Sequence, residues 1–158
     1  MKATHVLVLI SSIALFAWTR PAPPLLEGPR GLLELRHNLL TVGYVQLGER
    51  QVDVRDRLGR PQEVEHLRDG STVWTYKDGQ NVTTVYLHRG LVVAVSGAGL
   101  GAAKVSGYSA CTRSEVERLF GPPLEQTFDT YTYEAANRSV TFLFTGDTLF
   151  KTTMIQGD

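Results

Sequence analysis

Few residues of this chain are spaced to do chemistry. Gly97-Ala98-Gly99-Leu100-Gly101-Ala102 matches G-x-G-x-x-A, the turn whose glycines let backbone N–H groups reach a pyrophosphate when a strand precedes it and a helix opens at once. A strand-like run, 91–96, does precede it. The next helical pattern begins only at Thr112, however, and the strands on either side belong to hairpins. The segment therefore reads as a flexible connector. The histidines are His5, His37, His66 and His88, and no two stand four apart as a helical metal pair would. His66 and His88 read as exposed strand residues. No Gly-x-Ser-x-Gly elbow is present to expose a nucleophilic serine. Asp53 and Asp56, and Glu115 and Glu117, lie on helical faces shared with arginines, where solvated charge explains them and acid–base work would need burial. The single cysteine, Cys111, rules out an intramolecular disulfide and multi-thiolate metal sites, and reads as a small apolar residue. No catalytic residue, cofactor-binding residue or metal ligand is expected. Asn81-Val82-Thr83 and Asn137-Arg138-Ser139 are glycosylation sequons, relevant only in a host that glycosylates its exports.

The elements that must position any site begin after an address. Met1-Lys2 precedes an apolar run from Val6 to Trp18, and Pro21, Pro23 and Pro24 then break any helix. A basic start, a short apolar stretch and a proline stop read as a secretory signal, or as an uncleaved N-terminal anchor, over 1–20. Residues 21–30 form a Pro-rich linker. Sixteen basic residues balance 16 acidic ones, so the long-range field that nucleic-acid binders use is missing. The expected location is outside the cytoplasm: periplasmic, or membrane-anchored and facing the periplasm or exterior.

Beyond the linker the sequence repeats itself. Gly59-Arg60-Pro61 and Gly121-Pro122-Pro123 each follow a helical pattern, and Trp74-Thr75-Tyr76 and Tyr131-Thr132-Tyr133 each follow in a strand-like run. The glycines are 62 residues apart and the aromatic pairs 57, so the second copy needs a shorter first hairpin. In copy one a helix over 49–58 leads to strands at 62–67, 71–77, 81–88 and 91–96, separated by Asp69-Gly70, Asp78-Gly79 and Arg89-Gly90, which are hairpin signals. In copy two Thr112-Arg113-Ser114-Glu115 is a capping box, and strands follow at 124–128, 130–134, 139–145 and 148–155. Leu32, Leu35 and Leu39 give a leading amphipathic helix over 31–40. The expected fold is α+β: two tandem helix-plus-antiparallel-meander repeats, 31–97 with the leading helix and 108–158, joined by a Gly-rich connector at 98–107.

The aromatic residues admit two readings. Alternation puts Trp74 with Tyr76, and Tyr131 with Tyr133, on one side of their strands. They are either the core beneath the helices or, with Tyr86, anchors on an open sheet face that binds a partner. As candidate partner-binding residues we take Trp74, Tyr76, Tyr86, Tyr131 and Tyr133.

Leu47-Gly48, Val54, Leu58-Gly59-Arg60-Pro61, Trp74-x-Tyr76 and Gly90-Leu91-Val92 resemble the SmpA/OmlA (BamE-like) domain, and Leu119-Phe120-Gly121-Pro122-Pro123 with Tyr131-x-Tyr133 repeats the pattern. The tandem arrangement is similar to β-lactamase inhibitor protein-like architecture. The resemblance implies non-enzymatic protein binding in the bacterial cell envelope, with another envelope or secreted protein as partner. A secreted enzyme inhibitor is the alternative, and a ligand carrier or enzyme with a cleft between the repeats a third. The chain has neither a lipid-anchor cysteine in its leader nor a cysteine pair within a copy.

Overall fold

The computed structural model describes residues 28–102, 105–108 and 112–157. The leader, most of the Pro-rich linker and Cys111 lie outside them. The described elements run α1 (Arg30–Arg36), β1 (Leu40–Thr41), α2 (Gln51–Leu58), β2 (Glu63–His66), β3 (Thr72–Asp78), β4 (Asn81–His88), β5 (Leu91–Gly97), β6 (Leu100–Ala102), β7 (Val105–Tyr108), α3 (Arg113–Phe120), β8 (Glu125–Gln126), β9 (Thr130–Ala135), β10 (Arg138–Thr145) and β11 (Thr148–Gln156).

Local chemistry sets most of these boundaries. Thr112 Oγ1 accepts from the N–H of Glu115 at 3.3 Å and the Glu115 carboxylate accepts from the N–H of Thr112 at 3.0 Å, so the capping box opens α3. Gly59 and Gly121 close α2 and α3 with φ of 80° and 78°, a conformation that penalises any Cβ. Arg89 and Gly90 both have positive φ, as a two-residue hairpin turn matched to strand twist requires.

The assembly corrects the expected architecture. Instead of two helix-plus-meander repeats set side by side, β2 to β5 and β8 to β11 form one antiparallel sheet in the order β2-β3-β4-β5-β11-β10-β9-β8. The junction is antiparallel pairing of β5 with β11, Ala94 opposite Ile155 and Gly97 opposite Thr152. The physical reason is that the last strand of each meander is an open edge, and pairing the two removes both. The leading helix does not stay with the strands that follow it. It packs on α3, β9 and β10, so closely that a Cβ on Gly31 would lie 2.6 Å from the Phe120 ring. Nor is 98–107 a plain connector: β6 and β7 form a small sheet with β1, in the order β1-β6-β7.

The described helices lie on one face of the large sheet. Tyr76 donates to the Gly59 carbonyl at the end of α2 (3.4 Å) and Tyr133 to the Gly121 carbonyl at the end of α3 (3.0 Å). Phe120 of α3 meets Tyr133 and Phe142 at ring distances of 5.0 and 5.1 Å. Burying such a side chain contributes about 1.5–3 kcal/mol. One register row of this core, Trp74, Val85, Val95, Met154, Val140 and Tyr133, crosses from β3 to β9 without a polar residue.

Candidate functional site: the uncovered face of the sheet and the cleft beside it

Among the described residues helices cover the sheet on one side only, and strand register defines what the other side presents. Two rows run across it. The first consists of Glu63, Thr75, Thr84, Ser96, Thr153, Thr141, Thr132 and Glu125, one residue from each strand. Hydroxyls fill its interior, with Thr132 and Thr141 bonded at 3.2 Å. The second consists of Glu65, Val73, Tyr86, Ala94, Ile155, Ser139 and Glu134. Its centre is apolar, with Tyr86 38% and Ile155 47% exposed but Val73 buried, and a carboxylate stands at each end. At a strand spacing of about 4.8 Å the second row is roughly 30 Å long. Among the described residues Glu65, Glu125 and Glu134 have no ion-pair partner, whereas Glu63 is paired with Lys77.

The five aromatic residues singled out from sequence divide sharply. Trp74, Tyr76, Tyr131 and Tyr133 are buried under the helices, which corrects their assignment to a partner surface on this body. Only Tyr86 looks out from the open face. The covered side is chosen by where the helices pack, which strand alternation cannot reveal. Ile155 was missed because it joins the row of Tyr86 only through the β5–β11 pairing.

The histidines do not assemble a nucleophile. Ser71 Oγ lies 3.1 Å from Asp69 Oδ2 and 3.0 Å from His88 Nδ1. The serine has one proton and the carboxylate only accepts, so Nδ1 is the donor to Ser71 and is not its base. The backbone N–H of Ser71, 2.9 Å away, is the main cause holding the Asp69 carboxyl below its ordinary pKa, with the Ser71 hydroxyl and the His88 charge adding. His66 reaches only the Thr72 hydroxyl. No three His, Cys, Asp or Glu side chains converge among the described residues.

On the helix side, at the end where β3 turns into β4, a cleft of about 820 Å³ opens between that hairpin, the end of α2 and the Gly-rich corner after β5. Gly97-Ala98-Gly99-Leu100-Gly101 forms the corner, leading into a strand and not into a helix N-terminus, so the pyrophosphate geometry is not built. At the rim Val42 and Val45 exchange backbone bonds of 3.0 and 2.9 Å around Gly43 (φ 56°) and Tyr44 (φ 67°). A tyrosine in this left-handed region is disfavoured by roughly 1–2 kcal/mol relative to glycine, and Tyr44 recovers nothing by burial, being 77% exposed. Arg57 donates to its carbonyl and is paired with Glu49.

No family model matches the sequence, and no curated protein matches it. Solved structures do. A cysteine-rich secretory protein from Staphylococcus aureus and an extracellular protein containing an SCP domain from Bacillus anthracis each align over 70% of this chain at 14% identity and a TM-score of 0.54. The chain spans only 44% of the length of either. A DUF4309 family protein from Bacillus subtilis aligns over 80% of this chain and 93% of its own, at 14% identity and a TM-score of 0.52. At such identity the likeness is one of fold. These neighbours overturn the SmpA/OmlA (BamE-like) resemblance. Its motifs, Leu-Gly-x-Pro and aromatic-x-aromatic, record only a helix end before a strand covered on one face, which any helix-covered meander needs. The shared body thus makes up nearly all of one bacterial protein and is similar to less than half of two others.

Proposed function

We propose that this chain is an exported, non-enzymatic protein-binding module that docks its partner on the uncovered sheet face. The observation that carries the reading is the register row with Tyr86, Ala94 and Ile155 at its centre and Glu65 and Glu134 at its ends. An apolar centre with a charged margin is the anatomy of a protein interface. The unpaired carboxylates favour a partner whose contact surface is apolar in the middle and basic at its flanks. Export is supported by the basic, apolar and Pro-rich succession at the N-terminus, and by the description of two structural neighbours as secretory or extracellular.

The test is a pair of surface substitutions, Tyr86→Glu and Ile155→Glu, made separately in the full chain and compared with Val52→Glu on the helix side. A partner retained from the extracellular and envelope fractions by wild type and V52E is expected to be lost from both face variants. The affinity loss is about 30-fold or more, the size for a central anchor residue. Equal retention by all three variants would refute docking on this face.

A further inference from the structure

The cleft on the helix side has an independent use. We infer that it binds a neutral oligosaccharide, with the Tyr44 ring as the platform on which a sugar stacks. Its volume, about 820 Å³, falls within the range of roughly 300–1,000 Å³ common for small-molecule sites. The case for Tyr44 is that the fold gains nothing from it. Its turn position favours glycine or asparagine, and its side chain is exposed. A bulky residue kept in strain and out of the core points to a function outside the core. Its backbone is nonetheless held, through the Arg57 bond to its carbonyl.

The surroundings select the ligand class. The cleft's two cations are already answered, Arg57 by Glu49 and Lys77 by Glu63, so a phosphate or other anion would find no unpaired positive charge. What the cleft offers instead is a mixed set of neutral donors and acceptors and one carboxylate. The Asp78 and Asn81 side chains make no bond to other described residues, and Gln62, whose Oε1 accepts from the Lys77 N–H at 3.0 Å, keeps both amide protons free. Carboxylate and amide groups lining the same cleft as an exposed aromatic ring suit a pyranose, with hydroxyls around its rim and C–H bonds on its faces. Gly99, on the opposite rim, has no atom near where a Cβ would sit, so the mouth is open.

The experiment titrates the full chain with a β-linked glucose trisaccharide and, separately, with its N-acetylglucosamine counterpart, following backbone amide shifts by NMR. Saturable shifts at Gly43, Asn81 and Gly99 are expected with at least one of them at millimolar concentration. Which one responds separates a plain glucan from an amino-sugar polymer as the source. Tyr44→Gly is expected to weaken binding about tenfold or more with an unchanged or higher melting temperature, since it relieves the backbone. Tyr44→Trp restores binding. Silence with both trisaccharides, or wild-type affinity in Y44G, overturns the assignment.

Discussion

At the residue scale, burial separates what a side chain does for the fold from what it can do for function. Thr152 shows the first kind. It is fully buried in the helix-side layer opposite Phe142, and its hydroxyl has no hydrogen-bond partner among the described residues. An unsatisfied buried hydroxyl costs roughly 1–3 kcal/mol. Thr152→Val, nearly the same shape without the hydroxyl, is expected to stabilise the chain by about 1 kcal/mol in urea unfolding; destabilisation would mean that the hydroxyl has a partner after all. The core phenols make a second case. Burial pushes the Tyr133 pKa well above its ordinary value, with the Glu117 charge and Tyr131 adding, and burial also raises Tyr76, with Arg55 pulling it back. A group whose folded pKa exceeds its unfolded one contributes stability that is fully present below the unfolded value, here about 10, and is lost as pH rises beyond it. Alkaline titration by absorbance should find these two phenols ionising only as the fold is lost. Ionisation of Tyr133 and Tyr76 near pH 10, with the fold intact, would contradict that. Tyr86 stood in the sequence as one candidate anchor among five; that it alone faces away from the helices was not legible. Tyr44 left one clue, the Gly43-Tyr44 pair between Val42 and Val45, which marks a tight turn but does not say that the ring faces solvent.

Elements were the most legible level, because their limits are written in short-range chemistry. The Thr112 capping box, the glycines after α2 and α3, and the Arg89-Gly90 turn each act within a few residues. What escaped the sequence is where an element goes next. The leucines of α1 announce an apolar stripe without naming what it covers, and α1 crosses to α3, β9 and β10. Gly31 is the contact that permits this, and a side chain there has no space beside Phe120. Gly31→Ala is therefore expected to destabilise by about 1–3 kcal/mol, the size of an overpacking defect. It should also lower hydrogen-exchange protection in β9 and β10 before β3 and β4. A neutral substitution, or loss of protection confined to 40–97, would show that α1 does not hold the far strands.

For the whole molecule, the decisive event is the meeting of β5 and β11. Neither Ser96 nor Thr153 carries a local signal that they will face each other, and no periodicity reaches across 57 residues. That one junction converts two meanders into a single sheet, removes two edges, and brings Tyr86 and Ile155 into one row. The described helices then cover one side, leaving the other open among the described residues. The central claim is that this surface is where the partner sits. Its most direct test places a photo-activatable amino acid at position 155, and at position 52 on the helix side as control, in the full chain, followed by irradiation in the native extracellular and envelope fraction. The account predicts a discrete crosslinked product from position 155 that Y86E abolishes, and none from position 52. Crosslinking from 52 alone, or a product from 155 that Y86E leaves unchanged, would contradict it.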